Sequence, residues 1–222
     1  LPADSMTMLV GPSGIGKTTL GLQFLSQSSG KDPGLLFGFY ETPPRIKAKA
    51  NAICPPLKQL LDSGDVEMLW HAPTVHLLDA LADRLLHAVR RKKVRRLVID
   101  GLGGLKQALH AGPIERFFAA LVHELRGEKV TTICTAEVPE IIGPTITTPL
   151  RGLSEITDNH ILLRFVEIRA KLYRLVSILK VRDSGFDSAL RQFSIAASGI
   201  EIDETLANAE SILSRFTVSE KS

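Results

Sequence analysis

Apolar positions in this chain fall into short unbroken runs separated by stretches of helical spacing. Met6-Thr7-Met8-Leu9-Val10 is such a run, Gly34 to Tyr40 is apolar throughout, and Val66 to Trp70, Arg96-Leu97-Val98-Ile99-Asp100 and Val130 to Ala136 follow. Runs this short and this apolar fit strands buried on both faces of a parallel sheet. Between them, Leu20, Leu22, Phe24 and Leu25 alternate with polar Gln23 and Gln27 before Ser28-Ser29-Gly30, which predicts a helix and its end. Val75 to Val89 and Ile114 to Leu125 carry the same helical period. The alternation predicts an α/β fold with a mostly parallel central sheet flanked by helices. From His160 the rhythm changes. His160 to Ile168 and Leu172 to Val181 read as strands joined at Arg169-Ala170-Lys171, and Leu190 to Ala196 as a third, a C-terminal antiparallel ribbon. In the tail, Leu206, Ala209, Leu213 and Phe216 recur at helical spacing between Glu204 and Phe216, to pack on the domain or dock on a neighbouring subunit. With no internal repeat or linker, residues 1–222 read as a single module.

Composition changes this picture little. The 222 residues suffice for one α/β core, and a net charge of +3 neither requires nor excludes a polyanionic partner. No apolar run is long enough to cross a bilayer and no export leader is visible, so a cytoplasmic protein is expected. Cys54 and Cys134 lie far apart and read as reduced packing residues. Leu1 is not an initiator and stands close to the first strand, the expectation for one module cut from a longer protein.

The chemistry begins at Gly11-Pro12-Ser13-Gly14-Ile15-Gly16-Lys17-Thr18, a complete G-x-x-x-x-G-K-[ST] phosphate-binding loop (Walker A) directly after the first apolar run. A strand ending in such a turn and opening a helix aims several backbone N–H groups at one point, where nucleotide phosphates sit. Gly11, Ser13, Gly14, Ile15, Gly16, Lys17, Thr18 and Thr19 are therefore the nucleotide-binding candidates, with Lys17 as the point charge and the Thr18 hydroxyl as a ligand for Mg²⁺. A second Mg²⁺ group, acting through water, is Asp100, at the end of a strand and before the Gly101-Leu102-Gly103-Gly104 turn; an ordinary strand-ending Asp-Gly turn is the alternative. For hydrolysis the candidate base is Glu41; Glu41-Thr42-Pro43-Pro44 also reads as a helix start, and the two roles are compatible. Glu137, just past another strand, is a candidate γ-phosphate sensor or a solvated loop acid. The run Arg90-Arg91-Lys92-Lys93 with Arg95-Arg96 suggests nucleic acid, but it ends a helix, where cations favour the macrodipole, and no aromatic residue is interleaved.

A parallel nucleotide-binding core ending in an antiparallel ribbon points to RecA-like P-loop NTPases. Within them the chain resembles the KaiC circadian-clock ATPases through the phosphate loop, Tyr40-Glu41-Thr42-Pro43, Leu97-Val98-Ile99-Asp100, Ile156 to Arg169 and Leu179-Lys180-Val181-Arg182. The resemblance implies ATP with Mg²⁺, slow hydrolysis between subunits of a hexameric ring, regulatory protein partners and a clock-type signalling role. It also implies that Lys180 and Arg182, with Arg174 as a third cation, reach the neighbouring subunit's nucleotide; a solvated basic strand face is the reading without it. Two acids are common in the family where this chain has Tyr40-Glu41, and a tyrosine, with a pKa of about 10, is a poor base at neutral pH. The family's adjacent Ser-Thr phosphorylation pair reads Ser154-Glu155 here, leaving Ser154 as candidate phosphosite or plain loop serine. A non-hydrolysing ATP-dependent oligomerisation switch is the main alternative. A RecA-type DNA-linked ATPase is a weaker one, since no DNA-binding module is visible.

Overall fold

The computed structural model describes residues 1–72, 78–108, 113–139, 152–168, 170–182 and 184–203. Its parallel half contains β1 (Met6–Gly11), α1 (Lys17–Leu25), β2 (Gly34–Gly38), α2 (Pro43–Ile53), α3 (Pro55–Ser63), β3 (Val66–Trp70), α4 (Leu78–Lys92) and β4 (Arg96–Asp100). It continues through α5 (Leu102–Gln107), α6 (Ile114–Gly127), β5 (Thr131–Glu137) and the single turn α7 (Leu153–Ile156). The ribbon is β6 (Asn159–Ile168), β7 (Lys171–Val181), β8 (Arg191–Ala196) and β9 (Gly199–Ile202). One sheet joins all nine described strands in the order β3-β2-β4-β5-β1-β6-β7-β8-β9. Pairing is parallel from β3 to β6 and antiparallel from β6 onward.

The period-2 alternation of strand side chains splits the core in two. Met6, Met8 and Val10 of β1 face α4, α5 and α6, where Leu81, Leu85, Phe118 and Leu121 are buried with them. Leu9 faces the other way, onto Ile15, Leu22 and Leu25 beneath the phosphate loop, together with Ile133, Leu163 and Phe193. Five parallel pairings therefore present their carboxyl ends at one edge, with Gly11 opposite Glu137 and Gly38 opposite Asp100. Ligands of open α/β sheets bind at such an edge.

Two expectations need correction, and three elements had no expectation. The second strand ends at Gly38, short of Tyr40, because Phe39 leaves the sheet to pack its ring edge-on against Phe37. The glycine-rich stretch after Asp100 is not an open turn: helix α5 starts at Leu102, and a Cβ on Gly104 would lie 2.3 Å from the Phe39 ring. Glycine is there for close packing. Finally, α3, α7 and β9 carry no signal among the periodic runs. Residues 75–77 of the helix expected over Val75 to Val89 and the tail from Glu204 to Phe216 lie outside the described residues.

Cys54 and Cys134 are buried free thiols, and burial pushes the Cys134 thiol well above its usual range. No described helix is long and apolar enough to cross a membrane.

Candidate nucleotide-binding site

β1 ends at Gly11 and α1 opens at Lys17, so the phosphate loop bridges them as its spacing requires. Gly16 has φ 118°, a left-handed conformation that favours glycine, and a Cβ there would come within 2.8 Å of Ile195 Cδ1. Ile15 is fully buried beneath the loop. Lys17 Nζ donates to the carbonyls of Gly11 at 2.8 Å and Pro12 at 2.7 Å and stands 4.0 Å from Glu137 Oε2. Burial lowers its pKa, while Glu137 and Asp100 act in the opposite direction.

Asp100 is already tied to the loop. Thr18 Oγ1 donates to its Oδ2 at 3.0 Å and Thr135 Oγ1 to its Oδ1 at 2.8 Å, while Thr135 accepts the Gly101 N–H at 2.8 Å. Burial raises the Asp100 pKa; the two threonine hydrogen bonds oppose that shift. A hydroxyl and a carboxylate side by side are hard oxygen donors, and no cluster of three or more His, Cys, Asp or Glu is arranged for a metal among the described residues. That sparse set fits Mg²⁺, which keeps most of its waters and takes phosphate oxygens, better than a metal caged by protein.

These groups line a cavity of about 660 Å³ at the carboxyl edge of the sheet. Ser13, Gly14, Gly16, Lys17, Thr18 and Thr19 form its loop wall, and Glu41, Asp100 and Glu137 come to it from three further strand ends. Glu41 Oε1 accepts a hydrogen bond from Lys49 Nζ of α2. The Tyr40 side chain lies across the cavity edge, 52% exposed, its ring against Gly101 and Gly103. Burial, and then Glu137, raise its pKa, so its hydroxyl stays protonated at neutral pH. Lys49, Thr135 and Ile195 also line the cavity and escaped the sequence reading. Thr135 had a signal, a hydroxyl near the carboxyl end of a strand. Lys49 and Ile195 had none.

The remaining candidates lie elsewhere in the protomer. Lys180 Nζ donates to the carbonyls of Ser154 at 2.7 Å and Thr157 at 2.8 Å, and Arg182 Nη2 to that of Glu155 at 3.2 Å. Both cations thus hold the end of α7, where carbonyls lack helical partners. Beneath them Asp158 accepts from Arg126 Nη2 at 2.8 and 2.9 Å and from the Met6 N–H at 2.8 Å, with Arg182 Nη1 3.8 Å away. Ser154 itself is exposed.

Arg174 faces the other way. It pairs with Phe165 and Phe193, its guanidinium stacks 5.5 Å from the Phe165 ring centroid, and its buried Nε has no hydrogen-bond partner among the described residues. The register then slips, from Ile161 opposite Ile178 to His160 opposite Lys180, leaving Leu179 as the bulged residue. Opposed residues of an antiparallel pair share a face, so the bulge turns Lys180 to the face of His160, away from Arg174.

In the basic run, Arg90 bonds Glu124 and Glu128, each at 2.7 Å, Arg91 bonds Glu67 at 2.7 Å, and Lys92 bonds the Gly64 carbonyl. Arg95 Nη1 donates to the carbonyls of Glu128 at 3.2 Å and Lys129 at 3.4 Å, so four cations of the run are engaged within the fold.

Comparison with known proteins agrees with this geometry. The KaiC ATPase family model matches residues 1–207. The circadian clock oscillator protein KaiC of Parathermosynechococcus lividus is 31% identical over 214 residues, covering 91% of this chain and 39% of that protein. KaiC of Synechococcus elongatus is 27% identical over 224 residues, 99% of this chain and 43% of its own length. The circadian clock protein KaiC3 of Synechocystis is 26% identical over 211 residues, with 95% and 42% covered. The chain thus spans about two fifths of the length of these relatives. With a family match over nearly all its residues and a parallel sheet that carries the phosphate loop before an antiparallel ribbon, the chain belongs to the KaiC family of RecA-like ATPases.

Proposed function

We propose that this chain is the Mg-ATP-binding module of a longer, two-module KaiC-like protein, hydrolysing ATP slowly at the subunit interfaces of a hexameric ring in a clock-type signalling role. The observation that carries the reading is the convergence of Lys17, Thr18, Asp100 and Glu41 on one cavity at the carboxyl ends of the parallel strands. The loop N–H groups and Lys17 bind the β- and γ-phosphates, and Thr18 and Asp100 hold Mg²⁺, directly and through water. The metal, when bound, neutralises charge on the phosphate oxygens. Glu41 orients and deprotonates the attacking water. Tyr40, protonated and beside it, supplies no second base, which supports slow turnover.

Cations from the far side of the phosphoryl group are still needed, since the loop cradles the triphosphate from one side only. Lys180 and Arg182 of the adjacent subunit fill that role. Regulatory proteins act on the assembled ring. A second reading, a non-hydrolysing ATP-dependent oligomerisation switch, draws on the Lys49 ammonium that already occupies Glu41.

The test mixes subunits. Glu41→Gln keeps ATP binding and lowers hydrolysis about 100-fold, the scale of a lost general base. Lys180→Ala with Arg182→Ala lowers hydrolysis only in the assembled protein. Co-assembling the two mutants restores interfaces that combine an intact Glu41 with intact cations, so activity partly returns. No phosphate release above background in the native protein favours the switch, and no recovery despite confirmed co-assembly removes the role in trans.

A further inference from the structure

The buried stripe of α2 is formed by Ile46 and Ala50, and Lys49 flanks it with its stem half-covered. Its neighbour Lys47 turns to solvent and approaches Asp62 at 3.9 Å. Lys49 turns instead into the nucleotide cavity and bonds Glu41, the two side chains being 31% and 28% exposed. A surface ion pair of this kind is ordinarily incidental. This one involves the only carboxylate of the cavity wall, among the described residues, assigned to the attacking water.

We propose that Lys49 is a positioning residue that restrains hydrolysis by holding the Glu41 carboxylate in an ion pair. The inference rests on the reading of Glu41 as the base. A general base must aim a lone pair at water and gain a proton as the water attacks. In the pair, Glu41 Oε1 already accepts a hydrogen bond from the Lys49 ammonium, so that oxygen must be released before it can aim a lone pair at water. Proton transfer to Glu41 would also leave the Lys49 ammonium without its partner in a half-buried wall, a cost added to the barrier. Nucleotide binding needs none of these changes, since Lys17, Thr18 and Asp100 do not bond the pair. The module therefore binds ATP readily and turns it over slowly for a reason built into its own α2.

The test is steady-state phosphate release at saturating ATP from the full protein carrying Lys49→Met, with Lys49→Gln as a second neutral variant should the first fold poorly. The expected result is an acceleration of about fivefold, the scale of one half-buried charged hydrogen bond removed from the barrier. Lys49→Arg, which keeps the charge, accelerates less than either. In a Glu41→Gln background the acceleration disappears, because there is no carboxylate left to release. Unchanged or slower turnover in the neutral variants, with Glu41→Gln still inactivating, overturns the restraint and leaves Glu41 as the base. Acceleration that persists in the Glu41→Gln background overturns it as well. If Glu41→Gln costs nothing in the native protein, the reading of Glu41 fails and the restraint falls with it.

Discussion

Charged groups at the phosphate loop and charged groups at the end of β7 face different surroundings. Lys17 bonds carbonyls of its own loop, and Thr18 bonds Asp100, yet all three line an open cavity where each can exchange its partner for phosphate or metal. Lys180 and Arg182 bond carbonyls at the end of α7 and stand over Asp158, which is tied to Arg126 and to the start of β1. The first set links α1, β4 and β5 through side chains that line the open cavity and are preorganised for a ligand. The second set joins α6, α7, β6 and β7, so any reach toward a neighbouring subunit gives up contacts within its own. Exchanging partners at the loop and freeing Lys180 and Arg182 therefore carry different conformational costs in one chain.

The largest effect expected is at the loop. Lys17→Ala lowers affinity for a fluorescent ATP analogue by about three orders of magnitude, since no other cation of the loop faces the β- and γ-phosphates. Its urea midpoint stays close to the native value. Undiminished affinity would remove the distinction between the two regions at its stronger end.

A smaller effect sharpens the other end. Lys180→Met in the isolated chain destabilises by about 1 kcal/mol, the scale of charged hydrogen bonds to two carbonyls in a partly exposed setting, read from denaturant unfolding. Nucleotide affinity of the same chain is unchanged. A Lys180→Met chain as stable as the native one would mean that the α7 carbonyls do not depend on the cation, and the contrast would collapse.

The smallest effect is a pH slope at the bulge. His160 Nε2 lies 2.5 Å from Thr157 Oγ1, and burial, followed by the Lys180 charge, lowers its pKa. The unfolded chain therefore binds more protons than the native one as pH falls through the usual histidine range near 6.5. Stability contributed by neutral His160 is complete above that range and is lost on acidification toward its lower native pKa. His160→Gln should flatten this part of the stability profile. An unchanged profile would place the titration elsewhere.

Local features proved legible. The apolar run of β1, the loop and the first turn of α1 are contiguous, and hydrogen bonding within a few residues fixes their geometry. Asp100 was readable because a carboxylate ending an apolar strand has few other places to go. Fold class followed from the change of period at His160, and the sheet changes from parallel to antiparallel pairing at β6. Glu41 was found by its place after β2, but its bond to Lys49 was not, because eight residues and a helix start separate them. The Gly101–Gly104 stretch was misread because Phe39, far away in sequence, is what requires Gly104.

The sequence by itself determined that a phosphate loop stands between a buried strand and a helix, that an acid ends a neighbouring strand, and that basic residues two apart end another. These follow from chain-local geometry and the burial of apolar runs. Which face those basic residues occupy was decided only by the tertiary structure. Even spacing from Arg174 to Lys180 would put both on one side of β7, but one bulged residue, Leu179, reverses the alternation and sends Lys180 to the α7 carbonyls while Arg174 stays over Phe165. A bulge depends on how two strands pair across space, and strand register is fixed by packing on both faces of the sheet, not by the residues of one strand.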